Sequence, residues 1–86
     1  MKVLTHKKFN KAFKKMPPGL RKRFAQKIDL LKTNPLDSQL NNHALTGKYL
    51  GCRSIDISGD WRVIYEQLNE ETIRLLIIGT HSQLYG

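Results

Sequence analysis

The apolar run from Thr72 to Ile78, with the polar tail behind it, constrains the fold more than any other stretch. A continuous run of this length, rich in Ile and Leu, is typical of a central strand buried on both faces. Gly79 ends the run, and the tail then carries an imidazole and a phenol, His81 and Tyr85. Because chain ends fray unless packing holds them, a sheet that holds this tail would fix the two rings as a pair.

Two amphipathic helices are predicted in the first third of the chain. The first has an apolar face at positions i, i+3, i+4 and i+7, made of Phe9, Ala12, Phe13 and Met16. Thr5 is its predicted N-cap, and Pro17-Pro18-Gly19 ends it. The second runs from about Pro18 to Thr33, and its apolar face contains Leu20, Phe24, Ile28 and Leu31. We expect an antiparallel helical hairpin whose apolar stripes cover a sheet.

The strands of that sheet lie mostly in the second half of the chain. Met1 to Leu4 is a candidate edge strand, and residues 35–50 are polar and irregular. Three strands follow, over Cys52 to Ile57, Trp61 to Glu66 and Thr72 to Ile78, with a hairpin connection at Ser58-Gly59-Asp60. We predict one α+β domain over residues 1–86, in the order β-α-α-β-β-β, with an antiparallel sheet and the helical hairpin packed on one face.

The charge of the chain is large and uneven. Residues 1–33 contain eleven basic residues and one acidic residue (+10), whereas residues 34–86 contain four and six (−2). An excess of this size indicates a polyanionic partner, either nucleic acid or an acidic protein, or else a solvated basic helix face. No stretch approaches the ~18–20 apolar residues of a membrane span, and the single cysteine cannot form an internal disulfide. We therefore expect a soluble, cytoplasmic protein.

Sequence motifs for metal or nucleotide binding are absent. There is no cysteine pair, no His-x-x-x-His and no glycine-rich loop before a helix, so we expect no metal and no cofactor. What remains is a scattered set of polar and aromatic residues that the predicted topology would gather: His43, Arg53, Asp56, Asp60, Trp61, Arg62, His81 and Tyr85.

Three sequence motifs that contain most of these residues resemble the RelE/ParE toxin superfamily. The resemblance is closest to its YafQ-like branch of bacterial type II toxin–antitoxin systems. The motifs are the His-x-Leu-x-Gly segment from His43 to Gly47, the Asp-Trp-Arg-Val-Ile-Tyr segment from Asp60 to Tyr65, and the His-Ser-x-Leu-Tyr segment from His81 to Tyr85. The ordered trio is more specific than any one motif, and the helical pair fits the family layout, so the resemblance covers essentially the whole chain.

The resemblance implies a metal-free endoribonuclease that cuts mRNA in the ribosomal decoding site and is silenced by an antitoxin. In such a reaction the ribose 2′-OH attacks the adjacent phosphate, which requires a group to take a proton, a group to give one and a cation. By resemblance, His81 is the general acid or base, and His43 is the second proton carrier. Asp60 either orients a histidine or acts as base, and Arg62 stabilises the scissile phosphate.

The remaining implied contacts are with substrate, and one position departs from the family. Tyr85 would stack on a base or orient the phosphate, Arg53 is a second phosphate-binding candidate, and Lys48 and Trp61 complete the predicted substrate-binding set. YafQ-like toxins usually have a second histidine where this chain has Asp56. Either Asp56 replaces it as base, or proton transfer rests on the two histidines alone.

Several of these residues also have simpler interpretations. Trp61 fits a core position better than an RNA-stacking one, and Asp60 beside a glycine suits a hairpin turn for conformational reasons. A ParE-like toxin that inhibits DNA gyrase by binding is the alternative function, although it has no need for the C-terminal histidine. Both functions imply a cognate antitoxin, acidic and DNA-binding, and the nuclease also implies contacts with mRNA and ribosomal RNA.

Overall fold

A computed structural model describes all residues from 1 to 86 and confirms an α+β fold. Its strands are β1 (Lys2–Thr5), β2 (His43–Ala44), β3 (Arg53–Ser58), β4 (Trp61–Asn69) and β5 (Thr72–Thr80). Its helices are α1 (Lys7–Lys14), α2 (Gly19–Thr33) and the short α3 (His81–Tyr85), with two 3₁₀ turns at Ser38–Leu40 and Gly47–Tyr49. β2 and α3 lie where the sequence predicted an irregular segment and a polar tail.

The five strands form one mixed sheet in the order β1-β5-β4-β3-β2. β2, β3, β4 and β5 pair antiparallel, but β1 runs parallel to β5, with Lys2 opposite Thr72. The expectation of an entirely antiparallel sheet is therefore wrong at this edge. No tight turn joins the two strands, so nothing in the connection requires an antiparallel pair. The pairing with β5 continues to the residue just before α1, where the backbone N–H of His6 donates to the carbonyl of Leu75 at 2.8 Å.

The helical hairpin packs on one face of the sheet, as predicted. Phe9 of α1, Met16 in the turn between the helices, and Ile28 and Leu31 of α2 are buried against strand residues, chiefly Ile55, Ile57, Val63, Tyr65, Ile73, Leu75 and Ile78. The two helices also meet through three phenylalanines whose ring centroids lie 5.0–5.7 Å apart: Phe9, Phe13 and Phe24. This core is formed by the apolar stripes that the helical periodicity indicated.

β5 is not the doubly buried central strand that its composition suggested. β4 is central, and β5 is the next strand toward the edge. Ile73 and Leu75 are buried on the helix-covered face, whereas Leu76 and Ile77 remain partly exposed. The reason is that only the short α3 lies over the second face of β5. The Ile- and Leu-rich composition of β5 therefore reflects a strand that is hydrogen-bonded along both edges. The helical hairpin covers one of its faces, and the other face is only partly covered.

The start of α1 also differs from the prediction. Thr5 belongs to β1, and the cap is His6, whose Nδ1 accepts a hydrogen bond from the backbone N–H of Lys8 at 3.0 Å. An imidazole nitrogen can satisfy an orphan N–H in the first helical turn much as a serine oxygen does. None of the helices combines the length and the apolar character that crossing a membrane requires.

Candidate active site

The sheet face opposite the helical hairpin carries a group of polar side chains. Directly paired residues on neighbouring strands project to the same face, and His43 pairs with Ser54, while Asp56 pairs with Arg62. Ser54 and Asp56 are two positions apart on β3, so all four side chains share this face. Arg62 is opposite Gly79 on β5, just before α3 begins.

One open pocket brings the main candidates together. Its lining includes His43, Ser54, Arg62, His81 and Tyr85, and residues 41 and 44–46 of the loop around β2 complete its wall. Two histidines, an arginine, a tyrosine and the buried Ser54 therefore line one space. No group of three or more His, Cys, Asp or Glu side chains in the chain could hold a metal ion. The side chains that line the pocket can transfer protons and bind an anion.

The C-terminal tail is held over the end of β5 by a capped helical turn. Thr80 accepts a hydrogen bond from the N–H of Gln83 at 3.2 Å, and the Gln83 side chain accepts one from the N–H of Thr80 at 2.8 Å, which makes a capping box. The N–H of His81 donates to the carbonyl of Asp60 at 2.8 Å. These contacts fix the backbone of His81 against the β3–β4 hairpin.

An aromatic row extends from His81 along the rim of the pocket. Its ring lies 4.8 Å from that of Tyr85, and Tyr85 makes an edge contact with Tyr49 at 6.1 Å, measured between centroids. Lys48 places Nζ 5.1 Å from the centre of the Tyr49 ring. Tyr85 is 39% exposed, so it presents a ring surface to solvent beside the histidine. Such a surface suits the stacking of an unpaired base.

His43 is oriented by the loop that precedes it. Its Nδ1 lies 2.8 Å from the carbonyl oxygen of Asn41. Since a carbonyl oxygen only accepts, Nδ1 carries the hydrogen, and in the neutral ring Nε2 is the proton acceptor. Asn41 has a positive φ of 46°, a conformation that asparagine tolerates better than most residues. The left-handed residue thus aims its carbonyl at the histidine.

The loop is tied to the sheet by Asn42. Its side-chain oxygen accepts a hydrogen bond from Nε of Arg53 at 2.6 Å, and its amide donates to the hydroxyl of Tyr65 at 2.8 Å and to the carbonyl of Pro35 at 3.0 Å. Arg53 is thus engaged with the loop and lies outside the pocket lining. In the free protein its contacts position the segment next to His43.

Arg62 is held in place by three oxygen atoms. Its Nη1 donates to the carbonyls of Gly59 and Trp61 at 2.7 and 3.1 Å, and its Nε lies 2.9 Å from Oδ1 of Asp56. This last contact is an ion pair in which the N–H is not aligned with the acceptor, so Asp56 Oδ1 accepts no well-formed hydrogen bond. Asp56 contacts the arginine rather than a histidine.

Besides Arg53 and Asp56, three candidates lie outside the pocket lining. Asp60 is exposed, and it contacts His81 through its backbone carbonyl, while its carboxylate makes no hydrogen bond or ion pair. Trp61 packs against the helix-covered core. Lys48 is exposed at the far end of the aromatic row.

Sequence reasoning missed three residues that shape the site: Ser54 in the pocket lining, Asn42 at the loop anchor and Tyr49 in the aromatic row. Asn42 lies in the segment that the sequence indicated only to be polar and irregular. Ser54 had a usable signal, because it shares a strand face with Asp56. Tyr49 had none, since its contact with Tyr85 depends on the tertiary fold.

Cys52 lies on the same sheet face as Ser54, further from the pocket. Burial raises the pKa of its thiol, and the nearby carboxylate of Glu66 raises it further. Glu66 is itself paired with Arg74. The thiol is therefore protonated near neutral pH and a poor nucleophile.

Comparisons with known proteins agree with this architecture. The family model described as bacterial toxin of type II toxin–antitoxin system, YafQ, matches residues 1–86. The YafQ chain of the Escherichia coli DinJ–YafQ toxin–antitoxin complex is 27% identical, with a TM-score of 0.78 over 98% of this chain and 96% of that one. A copper-bound mutant toxin from Helicobacter pylori is 30% identical, with a TM-score of 0.77 over 99% of both chains.

A third similar structure contains a RelE-type toxin. The RelB–RelE antitoxin–toxin complex from Methanococcus jannaschii contains a chain that is 27% identical, with a TM-score of 0.74 over 96% of this chain and 95% of that one. No curated protein sequence matches this chain.

Proposed function

The chain belongs to the YafQ family of bacterial toxins from type II toxin–antitoxin systems, and from this premise we propose that it is an mRNA-cleaving endoribonuclease. It would act on mRNA in the ribosomal decoding site, without metal or cofactor, and so inhibit translation. One observation carries the proposal: His43, Arg62 and His81 line one pocket, so that two proton carriers and a cation converge on one space. This set is what transesterification of RNA requires.

The first step is removal of a proton from the ribose 2′-OH. His43 is the candidate base, because its Nδ1 is committed to the Asn41 carbonyl and its Nε2 is left to accept the proton. The deprotonated O2′ attacks phosphorus, and a new O2′–P bond forms. Arg62 faces the same pocket and stabilises the negative charge that accumulates on the phosphate oxygens.

The second step is departure of the 5′-oxygen. The P–O5′ bond breaks, and protonated His81 gives its proton to O5′, which leaves a 2′,3′-cyclic phosphate and a 5′-hydroxyl. Tyr85 stacks on a base next to the cleaved bond, and Lys48 contacts a neighbouring phosphate. In this assignment Asp56 holds Arg62 and Asp60 holds the tail through its backbone, so neither carboxylate transfers a proton.

The basic helices support a ribosomal location for the reaction. Their exposed cations include Lys7, Lys8, Lys11, Lys14, Lys15, Arg21, Lys22 and Arg23. Exposed lysines and arginines contact phosphates without selecting sequence, which suits docking on ribosomal RNA. The related YafQ and RelE toxins form complexes with the antitoxins DinJ and RelB. An acidic, DNA-binding antitoxin is the proposed partner of this chain, and it would cover the same cations.

Cleavage mapping tests the function directly. The wild type and His81→Ala are expressed in bacteria, and primer extension locates cleavage in reporter mRNAs. We expect codon-aligned cuts with the wild type and a loss of at least about 100-fold with His81→Ala, since general acid–base groups contribute about 10²–10⁴. His81 is exposed, so its loss leaves thermal stability nearly unchanged.

His6 provides the matched control. It is the α1 cap and lies outside the pocket, so His6→Ala lowers the free energy of unfolding by about 1 kcal/mol while cleavage by the folded fraction is retained. Growth arrest that is equal in the wild type and in His81→Ala, with intact mRNA, overturns the nuclease. A replication block under those conditions would favour the gyrase-binding alternative.

A further inference from the structure

Ser54 is a buried hydroxyl for which the fold provides no partner. Its side chain is completely buried, and Oγ makes no hydrogen bond. It is also the one polar residue among the fully buried positions. Buried side-chain oxygens are nearly always paired, because an unpaired one loses its hydrogen bonds to water without compensation. An orphan hydroxyl therefore calls for a specific explanation.

The position of Ser54 points to the pocket. It lies opposite His43 on β2, it shares its strand face with Asp56, and it contributes to the pocket lining beside Arg62. On the other face of the same strand, Ile55 and Ile57 fill the core. Alanine at this position would leave no unpaired atom. The stability of the free protein therefore does not explain why a hydroxyl is present at this position.

We propose that Ser54 is a further substrate-binding residue, whose hydroxyl donates a hydrogen bond to an anionic oxygen of the RNA phosphate beside Arg62. The proposal rests on the nuclease function proposed above. The positive charge of Arg62 is already partly balanced by Asp56, at 2.9 Å. The Ser54 hydroxyl is neutral, so it can bind a phosphate without changing the charge balance of the Arg62–Asp56 pair. Hydrogen bonds to charged acceptors are also stronger than those to neutral acceptors.

Substrate reaches the hydroxyl when the ring of Tyr85, which lines the same pocket, turns aside. Tyr85 is exposed and its hydroxyl makes no hydrogen bond, whereas His43 keeps its hydrogen bond to Asn41. Tyr85 is proposed to stack on a base of the RNA, so substrate binding itself moves its ring. The Ser54 hydroxyl is then unpaired in the free protein and paired in the complex. Removing the hydroxyl should therefore keep or raise the stability of the free protein and lower its activity.

Ser54→Ala is the decisive variant, with Ser58→Ala as its control. Ser58 ends the same strand, is only partly buried and lies outside the pocket lining. Cleavage rates on ribosome-bound mRNA and thermal midpoints are measured for both and for the wild type. We expect Ser54→Ala to lower kcat/KM about tenfold (~1.4 kcal/mol), mainly through KM, with an equal or higher midpoint. Ser58→Ala should match the wild type in cleavage.

Ser54→Cys separates the hydrogen bond from the shape of the side chain. A thiol has a similar shape but is a weak donor, so its kcat/KM should fall between those of Ser54→Ala and the wild type. Equal cleavage by wild type and Ser54→Ala overturns the role of Ser54 and leaves the nuclease function standing. A lower midpoint in Ser54→Ala also overturns it, because the hydroxyl then has a partner in the free fold. If the wild type itself does not cleave mRNA, both proposals fail together.

Discussion

Nε of Arg62 lies 2.9 Å from Oδ1 of Asp56, its direct cross-strand partner. Asp56 is the position that departs from the family pattern, and Arg62 is the residue proposed to stabilise the phosphate. The ion pair therefore connects these two residues. Both side chains are less than one-third exposed, at 19% for Arg62 and 28% for Asp56. The carboxylate therefore acts on the arginine with limited screening by water.

A double-mutant cycle measures this coupling. Asp56→Ala, Arg62→Ala and the double variant should give an interaction of about 1 kcal/mol in urea unfolding, toward the upper end for partly exposed pairs. Cleavage should fall with Asp56→Ala because Arg62 loses one of its three anchors, yet Asp56→Ala should have little effect once Arg62 is removed. A further loss of cleavage from Asp56→Ala in the Arg62→Ala background would show that Asp56 acts on the substrate independently, as a base.

The loop anchor at Asn42 is predicted to control the histidine next to it. Asn42→Ala removes the bonds to Arg53, Tyr65 and Pro35 and should lower the free energy of unfolding by about 1–3 kcal/mol. Cleavage at saturating substrate should also fall, since His43 loses its fixed backbone. Tyr65→Phe deletes only one of these bonds and serves as the graded comparison. Full cleavage activity in a destabilised Asn42→Ala protein would contradict the positioning role.

The lack of a side chain at Gly79 is predicted to favour the close docking of α3. A Cβ atom there would lie 3.0 Å from Oε1 of Gln83 and 3.2 Å from Cδ2 of Leu84, so Gly79→Ala pushes against the turn that carries His81. We expect a loss of about 1–3 kcal/mol in stability, as for overpacked sites, together with reduced cleavage. Gly19→Ala is the control, because no atom lies within 4 Å of its added Cβ. That variant should be neutral or slightly more stable in thermal unfolding.

Cys52 gives a pH-dependent prediction. Its pKa is raised in the folded state, first by burial and then by Glu66. The folded protein holds the thiol proton more tightly than the unfolded chain. The associated stability is therefore complete below the ordinary thiol pKa and is lost as pH rises through the folded value. Alkylation by iodoacetamide should be slower in the native protein than in urea, with its pH midpoint shifted upward. Coincident midpoints would contradict the raised pKa.

The sequence was most informative where periodicity decides the structure. The phenylalanine and leucine stripes of α1 and α2 and the hairpin between β3 and β4 follow from local patterns, and these elements form as predicted. The parallel direction of β1 and the partial cover of β5 depend on which strands become neighbours. Local patterns carry no information about that.

The site divides in the same way. Ordered motifs identified the histidines and Arg62 as candidates, and the fold brings them into one pocket. The contact of Asp56 with the arginine, the engagement of Arg53 by Asn42 and the unpaired hydroxyl of Ser54 were not predictable. Each depends on side-chain direction across the sheet, which the sequence alone leaves undetermined.

The parallel pairing of β1 with β5 has a consequence for synthesis. It joins residue 2 to residue 72, so the first strand finds its neighbour only after about 70 further residues have left the ribosome. Contacts this distant in sequence form late in folding. His81 and Tyr85 follow later still. A nascent chain interrupted before residue 72 therefore has neither the complete sheet nor a complete pocket.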